Sequence, residues 1–451
     1  MRRGSWRTKF GFYLLAIGSA CSLGNLWRFP FVTGENGGGA FVLLYVFITL
    51  VVGLPMLLAE LIFGKHTRKS VLVATQSVSE VKGPIYRWSG RFSVILSLIV
   101  LAYYSVISGW VLHFITQFSI AVFTGHLKVG IEGLMGNGVL QWGLASVHIL
   151  ATIFIVTKGV QEGLEKRISS LMPLFAVLMI ILTFETMSLP SAPEVLRFLF
   201  YPDFSKLTWS SLNHAIGHAF FTLSVGFGTM VTFGSYMNEG DHIPTMGFRV
   251  ALLGMLVSVF AGLLVFPIAF QVMERPLTDP ALLFEVLPRF MGQIRGGYIF
   301  GLTFFVCLYL AALNASIGLL ENILSNWLDF SGRKIKRSAA VWGVGAAVLF
   351  LALFPALAEY PLGNVNLGEK SLIENLDSFL INWLLPFVAL ALLYTIRKGM
   401  RQKELERYFV DKDHPASVAM YTHWSIVIKW VAPTLIIIGI VFQVVSLLID
   451  L

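Results

Sequence analysis

A chain of 451 residues in which 56% of side chains are hydrophobic and only 13% charged, with mean hydropathy +0.76, is too apolar for a soluble globular protein. The net charge of +8 does not point to nucleic acid, because the basic residues cluster between apolar stretches. The two cysteines, Cys21 and Cys307, both sit in apolar stretches without a His or Cys at ligand spacing, so neither a disulfide framework nor thiolate ligation of a metal is expected.

Spanning helices need about 20 apolar residues each. Eleven such stretches are predicted, at 10–34, 39–64, 90–122, 139–157, 167–189, 210–237, 244–273, 296–328, 338–357, 371–396 and 424–449. The third and eighth are longer than one bilayer requires, which implies tilt or extension beyond the lipid. Arg2, Arg3, Arg7 and Lys9 precede the first stretch, and Gly18-Ser19-Ala20-Cys21 has the outline of a lipoprotein cleavage site. Gly18 stands where such signals carry Leu, however, and the apolar run continues through Leu26, Trp27 and Phe29, so the segment is read as retained. Most of the 33 Lys and Arg residues fall on the side that holds the N-terminus. That bias predicts a plasma-membrane protein of the bacterial inner-membrane kind, with a cytoplasmic N-terminus and, for an odd number of spans, an outer C-terminus. The basic segments beside the bilayer are matched to lipid, not to nucleic acid.

Two stretches do not read as ordinary spans. Gly18-Ser19-Ala20-Cys21-Ser22-Leu23-Gly24-Asn25-Leu26-Trp27-Arg28-Phe29-Pro30 places two glycines, an Asn and an Arg inside one apolar run. Phe220-Phe221-Thr222-Leu223-Ser224-Val225-Gly226-Phe227-Gly228 interrupts the sixth. Unwound backbone at membrane depth is tolerated only where it lines a cavity or holds a ligand. The breaks open the first and sixth spans, and a first set of five spans crosses to the opposite side, so the second set enters inverted. The chain is predicted as one transmembrane domain, an all-α fold of two inverted five-helix repeats (10–189 and 210–396) with discontinuous first and sixth helices and an accessory helix at 424–449. Paired interruptions of this kind mark the midplane binding site of a secondary transporter. The connections at 190–209 and 274–295 read as lids, and 397–423 as a polar segment with a helix around Arg401–Arg407. No Ser/His/Asp set, His-Glu zinc motif or phosphate loop is present, so an enzyme is not expected.

Arg3-Gly4-Ser5-Trp6, Leu23-Gly24-Asn25-Leu26-Trp27-Arg28-Phe29-Pro30, Glu35-Asn36-Gly37-Gly38-Gly39-Ala40-Phe41 and the second interrupted stretch resemble the neurotransmitter:sodium symporter family, over Arg3 to about Ile396. The resemblance implies a substrate pocket of Ser19, Ala20, Leu23, Gly24, Val100, Tyr104, Phe221, Thr222, Ser224, Phe227 and Leu319, with Tyr104 on the substrate carboxylate. It implies a first sodium site at Ala20, Asn25 and Thr222, with Gly254 where the family has an Asn or Asp. A second site is implied at Gly18, Cys21, Ala311 and Asn314, with Ala315 where a hydroxyl is usual. Ser258 falls at the family's anion position, with Tyr45 and Ser224 as possible neighbours, and His218 replaces the usual Gln one turn before Thr222, so chloride is a candidate second ion and His218 a candidate anion-supporting or proton site, the alternative being a neutral core histidine. Arg28 and Asp377 match the outer charged gate, Arg3 and Asp329 the inner one with Trp6 and Tyr236 beside it. Glu60 is expected to brace the broken helices. Ser22 stands where monoamine carriers of the family have Asp, which favours an amino acid over a monoamine as the small-molecule substrate; the apolar pocket suits a neutral, hydrophobic one, moved by sodium-coupled alternating access. The alternative reading is an amino-acid-binding membrane sensor with degraded ion sites.

Overall fold

The computed structural model describes residues 6, 9–20, 22–127, 132–273, 282–358, 371–409 and 416–449, and among them there is no strand. Nine helices among the described residues are long and apolar enough to cross a membrane: Gly39–Thr67, Tyr86–Thr124, Gly138–Thr157, Val160–Thr186, Ile243–Met273, Gly297–Phe330, Arg337–Leu357, Leu372–Gly399 and Ser417–Ser446. They fall on nine of the predicted stretches. The other two are the interrupted ones, and both are broken.

The first broken rod runs as Lys9–Ala20, then Leu23–Leu26, then Arg28–Glu35. Ser22 ends the gap by turning extended and capping the short helix, its hydroxyl accepting the Gly24 amide at 3.2 Å. The second rod runs as Ser211–Thr222 and Thr229–Gly234. Between its halves, Gly226 and Gly228 adopt φ of +87° and +74°, and Ser224, with a Cβ, is held at +53°. Only glycine enters that region without cost, so the two glycines make the turn and the strained serine is locked by its surroundings.

Two long helices position these breaks. Tyr86–Thr124 and Gly297–Phe330 pack along each other and are the most enclosed spans, with 78% and 72% of their apolar windows buried. Stacked rings of Phe114, Phe118, Phe284 and Phe305 seal the seam near one end. The first rod lies against Gly297–Phe330 and Ile243–Met273, and the second against Gly39–Thr67 and Leu372–Gly399. Ser417–Ser446 is only 22% buried over its apolar window and presents Trp430, Ile437 and Val441 outward, as a lipid-facing helix does.

Both predicted lids contain surface helices, Ala192–Phe200 and Leu282–Gln293, and the polar connection carries Gln402–Glu406. One helix has no counterpart in the sequence reading. Val71–Lys82 packs against Tyr86–Thr124 with Val71, Ala74 and Val78 inward, too short and too polar to register as a span. At the predicted outer end the Gly37-Gly38-Gly39 turn lies flush on the Ala192–Phe200 lid. A Cβ on Gly37 would stand 2.1 Å from Lys206 Cβ, on Gly38 2.5 Å from the Phe198 carbonyl, and on Gly39 2.9 Å from the Tyr201 carbonyl.

Candidate functional site

The two breaks meet in the middle of the bundle. Ser19 and Ser224 share a hydrogen bond of 2.9 Å from one broken rod to the other. Gly24 faces Phe221 so closely that a Cβ would stand 2.1 Å from the ring, which is why the position carries no side chain. Phe227 meets Phe221 edge-on at 6.1 Å. From Tyr86–Thr124, the Tyr104 hydroxyl accepts the Leu23 amide at 2.9 Å, at the N-terminal end of the half-helix, with Val100 one turn away on the same face. Val100, Tyr104, Leu23 and Thr222 are sealed, whereas Phe221 and Leu319 each keep 8% of their surface accessible at this depth, Ser224 6% and Ser19 5%.

The turn in the second rod is held from outside. Glu60 on Gly39–Thr67 accepts the Gly226 amide at 2.6 Å, as expected of a brace. The Phe227 carbonyl accepts from Ser97 at 3.0 Å and from Asn322 at 2.9 Å, and Asn322 also accepts from Thr232 at 2.7 Å. Carbonyls and amides freed by the break are thereby satisfied. Opposed half-helix ends offer partial positive charge at the start of Leu23–Leu26 and partial negative charge at Ala20 and Thr222, a combination suited to a zwitterion.

Asn25 donates to the Gly254 carbonyl at 3.2 Å and to Ser258 at 3.0 Å, and Ser258 bonds Tyr45 at 3.0 Å. The His218 ring packs against both Phe29 and Tyr45, with centroids 5.3 and 5.0 Å away, and those two rings also touch each other at 5.3 Å. Its Nδ1 accepts from Arg28 at 3.5 Å and its Nε2 is 3.4 Å from the Thr222 hydroxyl. Ser224, although close in sequence, joins Ser19 and not this cluster. At the second predicted ion position Asn314 is fully buried and donates to Met172 Sδ at 3.1 Å, with its Oδ1 unpartnered among the described residues. Gly18 lies beside it, the space for a Cβ ending 3.6 Å from Asn314 Cβ. Ala311 and Ala315 line the same helix, and Cys21 lies outside the described residues.

Arg28 and Asp377 meet at 2.8 Å, both buried, with Asn382 accepting from the guanidinium at 2.7 Å and Tyr103 donating to the carboxylate at 3.0 Å. At the opposite end Trp6 donates to the Phe233 carbonyl at 3.3 Å and packs edge-on against Tyr236 at 5.6 Å. Arg3 lies outside the described residues. Asp329 accepts from Arg333 at 2.9 Å and from the Ser70 amide at 2.9 Å, tying Val71–Lys82 to Gly297–Phe330. Sequence reasoning missed a further group here: fully buried Glu321 accepts from Tyr236 at 2.8 Å and pairs with Arg337, which also donates to the Val156 carbonyl. A Glu in the apolar run at 296–328 was the available signal.

A family model described as the sodium:neurotransmitter symporter family matches residues 3–130 and 118–449. The chain belongs to the sodium:neurotransmitter symporter family. Within it, an uncharacterized sodium-dependent transporter of Bacillus subtilis, YhdH, is 32% identical over 439 residues, covering 96% of either chain. The sodium-dependent transporter MJ1319 of Methanocaldococcus jannaschii is 30% identical over 420 residues, covering 86% of this chain and 80% of its own. The crystal structure of MhsT in complex with L-phenylalanine superimposes with a TM-score of 0.89 at 31% identity, covering 98% of this chain and all of that one. The symporter is therefore a multi-pass membrane transporter whose family uses sodium as coupling ion, and its broken-rod architecture is that of MhsT.

Proposed function

We propose that this symporter carries a neutral, hydrophobic amino acid into the cell by alternating access. The observation that supports it most directly is the junction of the breaks, where the Leu23 amide, the Tyr104 hydroxyl and the Ser19–Ser224 pair converge. In this reading the substrate carboxylate takes a hydrogen bond from Tyr104, whose oxygen already accepts the Leu23 amide and whose proton remains to donate. The ammonium meets the carbonyls at the ends of Lys9–Ala20 and Ser211–Thr222. Phe221, Phe227, Val100 and Leu319 wall the side chain, and the residual accessibility of Phe221 and Leu319 fits a void at the break. Without a carboxylate near Ser22, an amine lacking its own carboxylate has no counter-charge, which disfavours monoamines.

Among the described residues, the Arg28–Asp377 pair bridges one end of the substrate region and Trp6 packs on Tyr236 at the other, which supports the reading of two gates. The bias of its basic residues supports a plasma-membrane location with a cytoplasmic N-terminus. A binding screen of the common amino acids by scintillation proximity, followed by uptake into proteoliposomes under an inward sodium gradient, tests the proposal. Binding without sodium-driven accumulation would turn the reading toward a sensor.

A further inference from the structure

Away from the two breaks, at the end of the bundle remote from Trp6, a groove of about 430 Å³ opens on the surface. It lies between the last turns of Val160–Thr186, the lid helix Leu282–Gln293 and the first turns of Gly297–Phe330. Glu185 and Arg295 stand at its rim, both exposed. Among the described residues neither side chain has a hydrogen-bond or ion-pair partner, and the two do not pair with each other. Their backbones are nonetheless pinned. Thr186 donates to the Leu263 carbonyl at 3.2 Å, fixing the end of its helix on Ile243–Met273. Gly296 turns at φ +77°, and a Cβ on Gly297 would overlap the Met291 carbonyl, so the turn after Arg295 lies flush on the lid helix.

Below the rim the groove is apolar. Ile181 lies one helical turn, about 5.4 Å, deeper than Glu185, and Ile299 four residues on from Arg295. These two are 49% and 63% exposed, and Phe184, 74% exposed, continues the same surface outward as a lipid-facing flank. Phe290, Ile294 and Phe300 complete the lining. Charge at the helix ends with apolar surface beneath is the order in which a lipid head and its chains meet a membrane protein.

Charge complementarity selects the head. The Arg295 guanidinium suits phosphate oxygens, which it can take in pairs. Glu185 then needs a cation, and a primary ammonium supplies N–H donors to its carboxylate. A glycerol head would satisfy Arg295 but set its phosphate charge against Glu185 with nothing to offset it, and a choline head carries no N–H to donate. A free amino acid matches both charges but leaves the apolar flank uncovered. We propose that this groove holds a phospholipid whose head carries both a phosphate and a primary amine, and that the lipid ties the lid helix to the two spans beside it. The proposal is independent of which substrate is carried.

Native mass spectrometry of the purified full chain, titrated separately with phosphatidylethanolamine, phosphatidylcholine and phosphatidylglycerol of the same acyl chains, tests it without any transport step. The first phosphatidylethanolamine is expected to bind about fivefold tighter than either of the others. Glu185→Gln and Arg295→Gln should each remove most of that preference. Both variants should keep the wild-type elution volume and thermal midpoint in lipid-free detergent, since neither side chain has a protein partner among the described residues. Equal affinity for the three lipids would reduce the groove to ordinary bilayer contact and overturn the proposal. So would preference for phosphatidylglycerol, or a phosphatidylethanolamine preference that survives both substitutions. Displacement of phosphatidylethanolamine by millimolar L-phenylalanine in the wild type but not in Glu185→Gln would assign the groove to free amino acids instead. Failure of uptake in the proteoliposome assay would sink the transport reading and leave this result standing.

Discussion

Replacing Tyr104 by Phe removes an oxygen that accepts the Leu23 amide and that, in the proposed binding mode, also donates to the substrate carboxylate. The ring is buried and its surroundings unchanged, so packing is preserved and only the hydrogen bonds are lost. In the free protein the Leu23 amide loses its acceptor at 2.9 Å. With substrate bound, the carboxylate loses a charge-assisted hydrogen bond, worth roughly 1.5–3 kcal/mol, or about a ten- to 150-fold change in Kd. The freed Leu23 amide can donate directly to the carboxylate and offset part of the loss, so about tenfold is expected at the lower bound. Scintillation-proximity binding of the best amino acid from the screen, with sodium saturating, measures it. The thermal midpoint of the substrate-free protein in detergent should fall as well, because the buried Leu23 amide is left without its acceptor, a cost of about 1–3 kcal/mol. Unchanged affinity in Tyr104→Phe would remove the carboxylate from this place and with it the proposed substrate orientation.

Further outcomes follow from the same geometry. Asp377→Asn leaves the buried Arg28 charge without its partner; breaking such a pair costs about 3–5 kcal/mol, so the closed end should open, seen as faster labelling of an engineered cysteine near Arg28. Adding Arg28→Gln to that variant should recover part of the loss, and a simple sum of the two single effects would argue against a coupled pair. Gly226→Ala places a Cβ at φ +87° and 2.8 Å from Leu385 Cδ1, which should destabilise the fold by about 1–3 kcal/mol and lower the midpoint of a thermal melt monitored by size exclusion. Trp6→Ala removes the plug against Phe233 and Tyr236, and should increase access from the end that carries Trp6 without altering sodium binding.

The breaks were legible because glycine and polar residues inside an apolar run contradict a continuous helix, whatever the fold. Arg28 was legible for the same reason: a charge at membrane depth requires a partner, and the family resemblance named Asp377. The Val71–Lys82 helix was not, since its apolar positions are few and its burial comes from packing on Tyr86–Thr124 after folding. Nor were the partners of Asn25: which atoms its amide faces depends on the approach of Ile243–Met273, and only Gly254's lack of a side chain hinted at it. Glu321 stood out as a carboxylate inside an apolar run, but its partner Arg337 did not, and Asn382, which shares the Arg28 guanidinium, comes from a segment whose pattern is otherwise ordinary; long-range neighbours of that kind carry no local signature.

The flush seating of Gly37, Gly38 and Gly39 on Phe198, Tyr201 and Lys206 has a mechanical corollary. Gly38 and Gly39 lie directly against the Phe198, Leu199 and Tyr201 carbonyls, and Gly37 and Gly38 against the Lys206 stem and the Phe198 ring, so the segment following Arg28–Glu35 and the cap above it can scarcely slide past one another. Whatever tilts that half-rod must drag the cap along, and a crosslink between the two should leave turnover intact.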